Sequence, residues 1–473
     1  MKTIHKVLII FLFSLLTHMP GIRNPILDYH GWAQTLRASI ARNYYEGDMN
    51  FFKPRVDYQG HNPKHSSTQF PLYSYLVALL YKIFGVSEVW GRILSALFAA
   101  LSAVVLYFIV REFFDDRIAF FSGLFFCVIP LRIYFMRTFM PESMAIFSLL
   151  AGFWYALRWD KEKKFLPHGF LCGFFLTLSF LLKIPYLFMI LPVLYLNFNS
   201  AKINLKRIFI LLIFLLIGVG SWYQYALQGT GGLSVENQPF LYETNIPWEW
   251  LQWEFWSTQF LSRFPELLTT YSGLVFLMVG LWVAFKKKKS FIVVWFFSGI
   301  IYLLLCGRYG RIHQYAALPL TPIHSVLMAV GFFFLWDRCR KKWVQTLLIL
   351  LVLAVPLHAG LRIKHWYRCE EKWVVEARAV VEKISLSTDL FYIDAPDHPF
   401  FLYHLHRKGF TQSLYPYGSI FFEETIAQGL KYYFIPGKKS AALEDPNFLN
   451  RFRLLHEAQN FVIYELISHK NHG

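Results

Sequence analysis

Apolar runs long enough to cross a bilayer recur from residue 4 to residue 360, and no other feature of this sequence constrains its fold as strongly. A hydrocarbon core about 30 Å thick takes roughly 20 apolar residues per helix. Lipid offers the backbone no hydrogen-bond partner, so each crossing segment must satisfy its own amides as a helix. Only 16% of the 473 residues are charged, too few for an ordinary soluble domain of this length. The first run, Val7 to Leu16, has the size of a signal peptide. It leads into His18, Met19, Pro20 and Gly21, not a small-residue cleavage site, and reads as a retained span.

The formal net charge of +17 does not mark a nucleic-acid binder. The basic residues gather in short loops between apolar runs, as orientation signals do. The cysteines Cys127, Cys172, Cys306, Cys339 and Cys369 form no CxxC pair, and most lie in apolar runs. They read as small core residues, with neither a disulfide framework nor a metal-ligand spacing.

Charge also orders the topology. Lys2 and Lys6 place the N-terminus in the cytoplasm, and basic loops follow at Arg111–Arg117, Lys161–Lys164, Lys202–Arg207, Lys286–Lys289 and Arg338–Lys342. If all of these are cytoplasmic, the spans between them come in pairs. They do, near 118–136 and 143–159, 166–182 and 185–198, 208–227 and 265–285, and 290–306 and 315–336. A last span near 343–360 then leaves the tail outside. The segment from Phe70 to Val86 is short and carries Pro71, Lys82 and Gly85, and counting it as a crossing would invert every later loop. It reads as an interfacial helix, with the second span over Val89–Val110. The expectation is a polytopic α-helical membrane protein of about eleven spans in the cell inner membrane.

Three outer segments exceed connector length: residues 21–86, residues 228–263 with Trp248, Trp250, Trp253 and Trp256, and the tail 361–473. The tryptophans suit an aromatic belt at the headgroup level, which is compatible with a lid over a site. In the tail, Asp389–Asp394, Lys431–Ile435 and Phe461–Leu466 read as strands and Pro399–Lys408 as a helix. The predicted organisation is a transmembrane domain over 1–360, including both outer loops, and a small extracytoplasmic α/β domain over 361–473.

A carboxylate at a membrane boundary is costly without a task. Asp28 follows the first span in Leu27-Asp28-Tyr29-His30. Glu142 ends the stretch Arg137-Thr138-Phe139-Met140-Pro141-Glu142. The parity of the basic loops puts both on the outer face. Cations on that face are Arg137, Lys183 in Leu182-Lys183-Ile184-Pro185, Arg308, Arg311 and His313. Lys183, Arg308 and Arg311 break the positive-inside pattern and so invite a task, although a snorkelling cation reaches headgroups in the same way.

These residues, with the Phe70-Pro71-Leu72-Tyr73 segment, resemble the GT-C superfamily of glycosyltransferases, nearest to its protein O-mannosyltransferase, lipid A aminoarabinose transferase and rhizobial galacturonosyltransferase branch. Further stretches carry the likeness: Ala41-Arg42-Asn43-Tyr44-Tyr45-Glu46-Gly47 and Met49 to Asp57, His313-Gln314-Tyr315 through Leu318-Pro319 to Pro322, and Phe401-Leu402-Tyr403 ahead of Arg407-Lys408-Gly409. The resemblance implies the GT-C fold and transfer of a single sugar from a polyprenyl-phosphate donor to a lipid, glycan or protein acceptor at the outer face of the membrane.

By the same resemblance Asp28 is the base that deprotonates the acceptor hydroxyl, and Glu142 orients the acceptor or a second group. The cations would neutralise the leaving phosphate. Two positions depart from the family pattern: Gln69 stands where some relatives have an acid that can join a metal site, and Ala33 stands where relatives often carry Arg. His30, His61, Lys64 and His65 are further site candidates; a divalent cation is an open question, since no tetrahedral ligand set is visible. Competing readings are a transporter or flippase for a lipid-linked saccharide, which would place ionisable residues at span centres, and a ligase for whole glycans.

Overall fold

The computed structural model describes residues 2–61, 69–198, 205–229, 246–395, 399–412, 420–437 and 440–467. Two compact units result. One comprises residues 1–23, 68–73 and 89–367; the other comprises residues 24–67, 74–88 and 368–473. The sequence alone assigns the whole first outer loop to the 1–360 domain, whereas most of that loop packs with the tail.

Among the described residues the regular elements of the first unit are all helices, and the apolar blocks read from the sequence lie on them. Four helices among the described residues are long and apolar enough to cross a membrane: Glu88–Arg111, Leu205–Gln228, Gln314–Arg338 and Lys342–Tyr367. Shorter apolar helices include Thr3–His18, Leu166–Leu182, Ile184–Asn197 and Ser290–Leu305. These lengths do not fix the count at eleven.

Several blocks expected to be continuous are broken, and the breaks follow from the chemistry of single residues. Block 118–136 divides into Asp116–Cys127 and Pro130–Phe135, because Pro130 cannot extend the first helix and suits the opening of the second. Block 265–285 does not run straight. The helix Tyr271–Lys286 starts afresh behind Thr270, whose φ of 64° leaves the helical region and whose Oγ1 accepts from Gly273 N at 3.3 Å. The preceding Trp253–Leu268 segment meets it at 100°.

Glycine sets the closest helix approach in this unit. A Cβ at Gly280 would lie 1.9 Å from the Leu327 carbonyl oxygen, and one at Gly331 would lie 1.9 Å from that of Phe276. Without a hydrophobic drive in lipid, small residues that let backbones touch are what join two helices.

The second unit is built on a five-stranded sheet of order β2-β1-β3-β5-β4. Its strands are β1 (Leu390–Ile393), β2 (Lys408–Thr411), β3 (Leu430–Pro436), β4 (Phe452–Glu457) and β5 (Phe461–Leu466). β1 pairs in parallel with β2 and β3, while β5 runs antiparallel between β3 and β4. Side chains alternate across the sheet. Phe391, Ile393, Phe434 and Ile463 face one core with Leu36, Ile40 and Tyr44 of the helix Gly31–Glu46. Leu390, Tyr392, Tyr433 and Ile435 face the other.

The tail thus departs from its sequence reading at two places. The helix predicted over Pro399–Lys408 ends at Leu405, because His406 turns to φ 52° and Lys408 opens β2. β4 escapes the strand pattern because it lies at the sheet edge and its residues alternate poorly.

Candidate active site

In the second unit Asp28 lies in the turn that enters the helix Gly31–Glu46 and is 4% exposed. The turn closes tightly: a Cβ at Gly31 would come within 2.9 Å of the Ile26 carbonyl. Gln34, one turn into the helix, donates Nε2–H to Asp28 Oδ1 at 2.8 Å and to the Tyr29 carbonyl at 3.3 Å. This bond fixes the carboxylate's rotamer. His30 takes the left-handed conformation, φ 57°, directly before the helix, and its ring meets Tyr29 edge-on at 4.5 Å and Trp32 at 5.9 Å.

The stretch from Ala41 to Asp57 folds into a lock. Arg42 donates Nη2–H to Asp57 Oδ2 at 2.6 Å and Nη1–H to the Tyr403 carbonyl at 2.9 Å, with the Tyr403 ring 4.6 Å from the guanidinium. Asn43 donates to the other Asp57 oxygen at 2.8 Å, and the Tyr44 hydroxyl closes onto the Phe51 carbonyl at 2.7 Å. Arg42 and Asp57 of this group line a cavity of about 750 Å³ together with Glu382, His406 and Lys408. His61, lining the same cavity, donates to the Thr388 carbonyl at 2.9 Å. Lys64 and His65 lie outside the described residues.

In the first unit Glu142 opens the helix Glu142–Glu162 behind Pro141 and is 1% exposed. An anion is favoured at that end of a helix, and a cation meets it: Lys183 Nζ stands 2.6 Å from Glu142 Oε1. Lys183 is delivered by the end of Phe170–Leu182, where the chain turns extended before Pro185. The same ammonium is 5.5 Å from the Tyr315 ring centre, Tyr315 stacks on His313 at 5.3 Å, and Tyr309 meets His313 at 4.8 Å. Glu142, Lys183 and His313 are therefore brought together. Tyr309 and Tyr315 are additions that sequence reasoning missed, although Tyr315 sits inside the quoted His313-Gln314-Tyr315 stretch.

The other cations part ways. Arg137 is fully buried, donating to the Gly21 carbonyl at 2.9 Å between the rings of Tyr134 and Tyr367 at 4.8 and 4.6 Å. Arg311 is drawn to the Trp-rich segment, donating to both oxygens of Glu249 at 2.9 and 3.2 Å and to Glu254 at 2.9 Å. The buried Glu249 needs that charge. Arg308 is exposed. Among the described residues no three His, Cys, Asp or Glu side chains gather as a metal-holding group.

One further residue escaped the sequence reading. Arg37, in the helix Gly31–Glu46, is 7% exposed, and its Nε and Nη1 are buried with no hydrogen-bond partner among the described residues.

Comparison with known proteins agrees with this architecture. Residues 64–223 match the family Dolichyl-phosphate-mannose-protein mannosyltransferase. No curated protein matches the sequence. Among solved structures, ArnT from Cupriavidus metallidurans bound to undecaprenyl phosphate superposes with a TM-score of 0.67 at 11% identity, covering 99% of each chain. The oligosaccharyltransferase AglB from Archaeoglobus fulgidus, in complex with an inhibitory peptide and a dolichol-phosphate, gives 0.60 at 13% identity over 99% of this chain and 74% of the other. The chain therefore shares the fold of these two structures, and its residues 64–223 are similar to the mannosyltransferase family.

Proposed function

We propose that this protein is a membrane glycosyltransferase that moves one sugar from a polyprenyl-phosphate donor to a lipid, glycan or protein acceptor on the extracytoplasmic side, with inversion at the anomeric carbon. The observation that carries the reading is the buried Asp28 carboxylate, held in one orientation by Gln34. A carboxylate so held accepts the acceptor's hydroxyl proton as that oxygen attacks. The new carbon–oxygen bond forms on the face opposite the phosphate, the bond to phosphate oxygen breaks, and polyprenyl phosphate leaves with the electron pair.

The departing charge needs cations in a site shielded from water. Lys183 and His313 are proposed to donate hydrogen bonds to the phosphate, backed by Tyr309 and Tyr315, with Arg308 as an exposed outer cation and Arg137 holding the backbone at Gly21 in the same unit. Glu142 sets the position of Lys183. Arg311 is proposed to anchor the Trp-rich segment through Glu249. The carrier lipids held by ArnT and AglB, undecaprenyl phosphate and dolichol-phosphate, support a polyprenyl-phosphate carrier here by similarity of fold. The orientation, the span count of eleven and the single-sugar transfer are parts of the same proposal.

Asp28→Asn tests it. The amide keeps the size of the side chain and can still accept from Gln34, but it cannot take a proton. Turnover should fall by about 10²–10⁴ with donor binding retained, since that is the usual loss when a general base is removed. The wild-type product should have the opposite anomeric configuration to the donor. Near-normal turnover by purified Asp28→Asn protein, or a retained configuration, would sink the reading.

A further inference from the structure

Two arginines are buried in the helix Gly31–Glu46, and they are treated differently. Arg42 has a carboxylate, a carbonyl and an aromatic ring around its guanidinium. Arg37, a turn and a half earlier, has none of these among the described residues. Its Nε and Nη1 are fully enclosed without an acceptor, and neither an ion pair nor a ring reaches it. Every other arginine buried among the described residues donates at least one hydrogen bond. Only the backbone of Arg37 is engaged, its carbonyl accepting from Ser74 Oγ at 3.0 Å.

A guanidinium cannot shed its proton to escape burial. An enclosed, unpaired charge is destabilising, and proteins retain such groups where a ligand completes them. Geometry says where that ligand stands. Gln34 and Arg37 are three residues apart on one helix and face the same way, and Gln34 holds Asp28 at 2.8 Å. The residues three and four away on that face, Ala33, Gln34, Ile40 and Ala41, are all neutral, so no carboxylate of its own helix face competes for Arg37; Asp28 is already held by the Gln34 amide.

We propose that Arg37 receives an oxyanion, a phosphate or carboxylate group, on the Asp28 side of this helix, and thereby determines which substrate is accepted beside the base. The planar fork of guanidinium suits such a group in bidentate fashion. The proposal deepens the glycosyltransferase reading, because the anion belongs either to the carrier lipid or to the acceptor. It fails or stands separately from that reading, because its tests measure binding and stability without turnover.

The full chain in nanodiscs would be compared with Arg37→Gln and Arg37→Lys. The first readout is the melting temperature without ligand. Removing an uncompensated buried charge should raise it in Arg37→Gln, whereas loss of a structural contact would lower it. The second readout is binding of undecaprenyl phosphate against undecaprenol. A carrier-phosphate role predicts affinity for the phosphate lowered about 10- to 100-fold in Arg37→Gln, partly restored in Arg37→Lys, and undecaprenol unchanged, as expected for loss of a charge-assisted hydrogen bond. The third is stabilisation by inorganic phosphate. An acceptor-side anion predicts that this stabilisation disappears in Arg37→Gln while undecaprenyl phosphate binding is kept. A variant that melts lower and binds both anions as wild type does would overturn the proposal. If wild type binds no undecaprenyl phosphate at all, the donor reading falls, and the inorganic-phosphate arm still decides the role of Arg37.

Discussion

Replacing Lys183 with Met isolates a buried charge whose cost can be worked out. Glu142 and Lys183 stand 2.6 Å apart with side chains 2% and 12% exposed. Neither carboxylate oxygen has a further hydrogen-bond partner among the described residues. Removing one partner of a buried pair costs ~3–5 kcal/mol, because the other charge stays in place unpaired. Partial exposure of the lysine argues for the lower end, about 3 kcal/mol. At about 1–2 °C per kcal/mol for a cooperative unit of this size, the melting temperature should drop by about 3–6 °C. Glu142→Gln with Lys183→Met removes both charges and should recover most of that loss. Thermal unfolding of the purified proteins in detergent, alongside titration with a polyprenyl phosphate, separates two roles for the lysine. If Lys183 serves the donor phosphate, the double variant is stable yet binds the lipid phosphate weakly. A double variant that binds as wild type does would refute the phosphate role and leave the lysine a counter-ion of Glu142. A Lys183→Met protein as stable as wild type would refute the buried pair itself.

Asp57→Asn should loosen the second unit, since it strips Arg42 of its ionic partner at 2.6 Å; a cost of about 3 kcal/mol should show as faster proteolysis within residues 368–467, and an unchanged rate would count against the lock. Burial holds the His404 imidazole at about 4, below its free value of 6.5, with its Nε2 on the Ile26 carbonyl at 3.1 Å. Between those values the unfolded chain binds the extra proton and the folded one does not. His404 therefore contributes stability above pH 6.5 that is lost as pH falls towards 4, by up to about 3 kcal/mol, and His404→Asn should flatten the melting profile over that window. A reporter that works only in the cytoplasm, fused after Gly473, should stay dark; a bright fusion would overturn the outer placement of the tail.

Helices were legible in this sequence because hydrophobic length is a local property. Their breaks went unread, although a proline carried the sign of one. Pro130 signals the break at Val128–Ile129, whereas the turn at Thr269–Thr270 rests on one residue's φ and a side-chain cap, for which Thr is a weak sign. β2 was hidden because a strand of four residues follows a one-turn helix too closely for periodicity to separate them. Site residues were legible as types at boundaries, but their pairings were not. Nothing local ties Lys183 to Glu142, 41 positions earlier, or Arg311 to Glu249, and only packing decides that the first pair is buried and the second holds a tryptophan-rich segment. Arg37 was invisible for the opposite reason: its significance is a missing partner, and a sequence shows neither burial nor absence.

The choice between a transferase and a transporter turns on ionisable groups inside the helical unit. Arg132, His18 and His324 are fully buried on helices of that unit. A transport site would need such groups to face a passage and to exchange partners. Arg132 instead donates to Ser14 Oγ at 2.6 Å and to the Ala99 carbonyl at 2.8 Å, with the Phe126 ring 4.2 Å away. His18 is bonded through Nδ1 to the Ser14 carbonyl at 2.5 Å, so both residues join the same helix. His324 lies between the rings of Phe264 and Phe296, at 4.6 and 5.9 Å. Arg132 thereby ties two helices together, and His18 is bonded within its own. Glu142, Lys183 and His313 each stand at a helix end, where the chain changes direction. Charge that is fixed inside and presented at the ends suits a catalyst working on a lipid headgroup better than a carrier that must move one across.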